Sequence, residues 1–123
     1  MPVPILKQGS VLIASIQAAL TDQDLLQLKE ELADKVGRFR AQGVVVDVSA
    51  LDVMDSFATR TLRSIAETTK LRGAATVIVG IQPDVAFTMV QLGLALEGVA
   101  TALDLEEGLE LLAEITEGST RGR

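Results

Sequence analysis

The chain has 123 residues, one domain's worth, and 48% of them are hydrophobic, enough for a sizeable core. That core must be aliphatic, since there are three Phe and no Trp or Tyr; the lack of Cys and His excludes disulfides, thiolate nucleophiles, Ser–His couples and the usual zinc sites. A net charge of −6 argues against a nonspecific nucleic-acid binder, and no apolar run reaches the ~18–20 residues that cross a bilayer.

Val3 to Leu6, with Pro4, predicts an edge strand, where a missing backbone donor is tolerated. Gly9-Ser10 turns the chain into Val11 to Ile16, a second strand paired with the first as a hairpin. Thr21 opens a helix, and Asp24 three residues on completes a capping-box pattern. Leu25, Leu28, Leu32, Val36 and Phe39 recur at helical spacing, and the helix is expected to stop near Gly43. Val44-Val45-Val46-Asp47-Val48 reads as a strand buried on both faces.

A polar loop, Ser49 to Asp55, leads into a second helix that starts near Ser56 and ends at Gly73. Ala74 to Val79 is another buried strand. Pro83 suits the first turn of a third helix, which runs to about Leu92. Val99 to Leu103 is a weak final strand. Asp104 with Glu107 caps a last helix carrying Leu105, Leu109, Leu112 and Ile115. The expected domain is residues 1–117, followed by a small, basic tail, 118–123, that frays. The order β-β-α-β-α-β-α-β-α predicts an α/β domain with a central, mostly parallel sheet, amphipathic helices and an N-terminal hairpin.

The segment from Asp47 to Phe57 is the functional candidate, because sites in open α/β sheets gather beyond the carboxyl ends of strands. At 3.6 residues per turn, Ser56, Arg60, Arg63, Glu67 and Lys70 share one helix face, and Ala58, Leu62, Ile65 and Ala66 share the opposite one. Ser56 is thus expected in solvent above a charged stripe. From Phe57 to Arg72 there are four basic residues and one acid, in an otherwise acidic protein.

Ser56 also has a plainer reading as a helix cap, as has Asp55, and Arg60 and Arg63 as a solvated face. A capping hydroxyl at an exposed helix start can still be a kinase substrate. Asp47, Asp52 and Asp55 match a Mg²⁺ or Ca²⁺ ligand set only loosely, and no P-loop, dinucleotide fingerprint or nucleophile elbow occurs. Leu92-Gly93-Leu94-Ala95-Leu96 reads as core and helix end, or as a contact patch if exposed.

The stretch Val44 to Ser49 followed by Met54-Asp55-Ser56 resembles the signature of STAS domains, in which a strand delivers an Asp-Ser pair to a helix start. Pro4 to Lys7, Ser15 to Gln17, Asp55-Ser56-Phe57, Gly80 to Pro83 and Ala102 to Glu106 extend the resemblance over nearly the whole chain, toward the RsbS class of stressosome scaffolds. Phe57 favours that class over simpler anti-sigma-factor antagonists, which carry a small residue after the serine.

The resemblance implies the STAS fold and a non-enzymatic protein-binding role without catalytic residues, metal or cofactor. It implies phosphorylation at Ser56, with Asp55, Phe57, Thr59, Arg60 and Arg63 meeting partners. Those partners would be an RsbR-type co-antagonist with a sensory domain, a switch serine-protein kinase of the RsbT type and a resetting phosphatase. They would join in a large cytoplasmic hetero-oligomer, or the chain would form a homodimer. Neither nucleic acid nor membrane is expected as a partner, and no basic-then-apolar signal segment opens the chain. Related co-antagonists carry a phosphorylated Thr near the first helix start; the nearby residues here are Thr21 and Asp22, and Thr21 is not assigned that role. Two readings from other classes are a small-molecule or nucleotide sensor domain and a hydrolase built on Asp47, Asp52 and Asp55.

Overall fold

The computed structural model describes residues 3–17, 20–94 and 96–121. The elements run β1 (Ile5–Gln8), β2 (Val11–Ser15), α1 (Asp22–Phe39), β3 (Gly43–Asp47), α2 (Ser56–Leu71), β4 (Ala75–Val79), α3 (Pro83–Gln91), β5 (Ala100–Ala102) and α4 (Leu105–Arg121). The five strands form one sheet in sequence order. The β1–β2 hairpin is antiparallel, and every later pairing is parallel.

That order decides where the helices go. Parallel crossovers are right-handed, so successive steps in one direction across the sheet put their helices on the same face. The core divides accordingly. Leu12, Ala14, Val44, Val46 and Ile78 pack on one face with Leu28, Leu32, Leu62, Ile65, Val85 and Met89 from α1, α2 and α3. Ile13, Val45, Val77 and Val79 point to the other face, where Leu112 of α4 covers them. The three valines of β3 face alternately both ways and are fully buried, as their continuous β-branched run requires.

Two glycines let α4 approach closely. A side-chain carbon at Gly43 would lie 2.9 Å from Leu112 Cδ1, and one at Gly108 would lie 2.5 Å from Val79 Cγ1. On the opposite face, Gly37 of α1 leaves the space that the Arg72 guanidinium occupies beyond the end of α2.

Several boundaries differ from the sequence expectation. β1 begins after Pro4, although the Pro4 carbonyl still accepts the Ser15 amide at 3.3 Å. α1 ends at Phe39, earlier than Gly43, because Arg40 takes a left-handed conformation (φ 50°) and turns the chain. Phe39, expected on the buried stripe, is 43% exposed, with the Lys7 and Lys35 ammonium groups 5.8 and 5.9 Å from its ring. Leu105 and Ile115, expected on the apolar stripe of α4, are also exposed. α4 continues through Arg121, so the stretch expected to fray is helical that far; residues 122–123 of that tail lie outside the described residues, as does Ala95.

Candidate functional site

The loop from β3 to α2 is tied down at both ends. At its start, Asp47 Oδ1 accepts the Ser49 amide at 2.9 Å, and the Val48 amide donates to the Val79 carbonyl at 3.0 Å. The Gln82 side-chain amide then reaches across from the β4–α3 turn to the Ser49 carbonyl at 2.8 Å. That turn passes through Gly80 at φ 81°, a region costly for other residues. A side-chain carbon there would stand 2.9 Å from Ser49 Cβ. Met54 is buried in the core and anchors the far end of the loop, while Asp52, Val53, Asp55 and Ser56 stay exposed.

Asp55 is the N-cap of α2. Its Oδ1 accepts the Ala58 amide at 2.8 Å, and its carbonyl accepts both the Thr59 amide and the Thr59 hydroxyl at 3.0 Å. Ser56 is therefore the first helical residue and is exposed. Its hydroxyl makes no hydrogen bond among the described residues. The plainer reading of Ser56 as the cap gives way to Asp55.

Below Ser56 the stripe follows the helical spacing except at Arg63 and at Ala66, which is only half-buried on the face expected to be inward. Arg60, Glu67 and Lys70 are exposed, Arg63 is half-buried, and Ala58, Leu62 and Ile65 face the core. Among the described residues no carboxylate lies within ion-pair distance of Arg60. Two residues depart from the expected surface. Thr59 is only 1% exposed: it points inward and satisfies its hydroxyl on the carbonyl four residues back, so it is not available to a partner. Phe57 is half-buried and packs against the main core, presenting only part of its ring.

A cleft of about 320 Å³ opens beside this loop. Ile16, Leu25, Leu51 and Leu62 line it, with the carboxylates of Asp22, Asp52 and Asp55. Those carboxylates repel an anionic ligand, which weighs against the nucleotide-sensor reading. Among the described residues no three acids stand close enough to hold a metal ion, so Asp47, Asp52 and Asp55 do not converge as a ligand set.

The start of α1 flanks the same cleft and repeats the arrangement. Thr21 is its N-cap: Thr21 Oγ1 accepts the Asp24 amide and Asp24 Oδ2 accepts the Thr21 amide, each at 3.1 Å. These bonds, the backbone one first, hold the Asp24 carboxyl below its ordinary range. Asp22 takes the position that Ser56 takes on α2, the first helical residue. Sequence reasoning missed the Gln82 bridge and the Asp22 carboxylate in the cleft; the Gly80 turn before a proline-led helix was the one local signal of the former.

The model for the STAS domain matches residues 3–108. Among solved structures, a serine-to-glutamate variant of RsbS from Moorella thermoacetica is 42% identical, over 94% of this chain and 97% of that one, with a TM-score of 0.80. A chain from a structure described as the molecular architecture of the stressosome, a signal integration and transduction hub, is 42% identical over 92% of this chain and 98% of that one, with a TM-score of 0.77. The RsbT co-antagonist protein RsbRA of Bacillus subtilis (strain 168) is 31% identical over 91 residues, 74% of this chain. The chain spans about a third of that relative's length, 33%. No described helix is long and apolar enough to cross a membrane. With a family model covering most of its length, and a five-stranded sheet that delivers Asp55-Ser56 to a helix start, the chain belongs to the STAS-domain family.

Proposed function

We propose that this chain is a non-enzymatic scaffold of a stressosome-type assembly, holding a switch serine-protein kinase and releasing it when Ser56 is phosphorylated. The carrying observation is that Ser56 opens α2 in solvent with a free hydroxyl while Asp55 does the capping. A kinase can therefore modify Ser56 without dismantling the helix end. The phosphate adds about −1.5 to −2 charges at neutral pH. The positive end of the α2 dipole and Arg60, one turn on, favour it; Asp52 and Asp55 oppose it. These opposed local terms leave the fold in place and change the electrostatic face that a partner meets.

The same reading makes an RsbR-type co-antagonist the lateral neighbour in the assembly, adds a phosphatase that resets Ser56, and puts the complex in the cytoplasm. Asp55, the exposed part of Phe57, Arg60 and Arg63 form the partner surface. Capture of an RsbT-type kinase on immobilised protein tests this. Ser56→Ala should retain the kinase and Ser56→Asp should lose it; equal capture by both would contradict a charge switch.

A further inference from the structure

Among the described residues, α1, α2 and α4 each carry a side-chain cap. Thr21 caps α1, Asp55 caps α2, and Asp104 Oδ1 accepts the Glu107 amide at 2.9 Å where α4 begins. α3 differs. Its N-cap is Gln82, whose side chain makes no bond to its own helix and donates instead to the Ser49 carbonyl at 2.8 Å. Good caps are the short Ser, Thr, Asp and Asn; glutamine is not among them. Its longer side chain gives α3 no cap and reaches a different loop.

The backbone around Gln82 is set for that bond. Pro83 restricts the residue before it to extended conformations, and Gln82 lies there, at φ −63° and ψ 146°. Gly80, in its left-handed turn, brings the β4–α3 connection against Ser49. The loop on the far side of the bond has few other ties. The amides of Asp52, Val53 and Met54 donate no hydrogen bond among the described residues. The Leu51 amide on the Val48 carbonyl, Met54 in the core and Gln82 on Ser49 hold this stretch. Its exposed tip, Asp52 and Val53, lies just before Asp55 and Ser56.

From this we infer that Gln82 is a positioning residue for phosphorylation of Ser56: its carboxamide holds the loop of residues 49–55 in one shape, so a kinase meets a preformed face around the acceptor hydroxyl. The inference rests on the reading of Ser56 as the phosphoacceptor. Gln82 acts through the Ser49 backbone and not on the hydroxyl itself. Without the bond, the loop has to be ordered as the kinase docks, and that ordering weakens association. Asp55 still holds Ser56 at the helix start, so transfer to a seated hydroxyl is unchanged. The loss therefore falls on KM and spares kcat.

Initial rates of phosphorylation by an RsbT-type kinase and ATP, over a range of concentrations of the full chain, test this. Gln82→Met keeps the length and the lack of charge but removes the donor. Gln82→Asn is too short to reach Ser49 yet is a better helix cap, so its Tm should equal or exceed the parent's. Both variants should raise KM for the chain roughly three- to tenfold, the scale of one net hydrogen bond, with kcat within about twofold. A merely structural Gln82 predicts otherwise: KM would follow stability, and Gln82→Asn would match the parent. Parent-like KM in both variants, or a fall in kcat at unchanged KM, would overturn the inference and leave Ser56 as the acceptor. A parent chain that takes phosphate elsewhere and not on Ser56 would overturn both the inference and the reading beneath it.

Discussion

Asp55 Oδ1 takes the amide of Ala58 at 2.8 Å, and this bond separates two jobs that adjacent residues could each have done. Asp and Ser are both good helix caps. With Asp55 capping, Ser56 is left as an exposed alcohol in the first turn, with no structural role that a phosphate must displace.

Stability should divide in the same way. Asp55→Ala is expected to cost about 0.5–2 kcal/mol in urea denaturation, the usual range for a lost cap. Ser56→Ala should stay within about 0.5 kcal/mol of the parent, as exposed substitutions away from structural features do. Equal losses at the two positions would mean that Ser56 shares the cap.

The loop and the β4–α3 turn should behave as one unit through Gln82 and Ser49, whose bond spans 33 residues of sequence. Gly80→Ala forces a side chain into φ 81° and against Ser49, and should cost roughly 1–3 kcal/mol. Gln82→Ala should be milder in global stability and raise amide hydrogen exchange across residues 49–55. Unchanged exchange there would show that the bridge does not hold the loop.

α4 offers a test in which two effects oppose. Gly108→Ala gains about 0.8–1.0 kcal/mol of helix propensity. It also drives a carbon to within 2.5 Å of Val79 Cγ1, a stiff β-branched side chain on a buried strand. Overpacking of this kind costs about 1–3 kcal/mol, so a net loss of stability is expected by thermal denaturation. A rise in Tm would mean that α4 can shift freely over the sheet.

The capping box of α1 sets one pH dependence. Asp24 has a lowered native pKa, so its contribution is full above the ordinary aspartate pKa of about 3.9. It is lost as the pH falls through the depressed native value. Acid titration of stability should therefore be shallower in Asp24→Asn than in the parent. Superimposable acid limbs would remove Asp24 from that role.

The element order was legible because the aliphatic runs are long and unambiguous, Val44 to Val46 above all. Helical spacing also identified the Ser56, Arg60, Glu67 and Lys70 face. It misplaced Phe39, since periodicity does not reveal where a helix stripe runs past the covering sheet. The resemblance put Thr59 among the partner-facing residues, whereas a helical threonine can satisfy itself on its own backbone and then be buried like an apolar residue. The choice of cap between Asp55 and Ser56 was illegible, as both side chains suit the position. The Gln82–Ser49 bridge depends on two strand ends meeting in space, which no local pattern encodes.

Incubation with a cognate switch kinase and ATP, followed by mass-spectrometric mapping, asks the chemistry directly which hydroxyl receives the phosphate. The expected product carries one phosphoryl group, on Ser56, and none forms on Ser56→Ala. Phosphate on Thr21 or another residue, with Ser56 unmodified, would contradict the proposed switch.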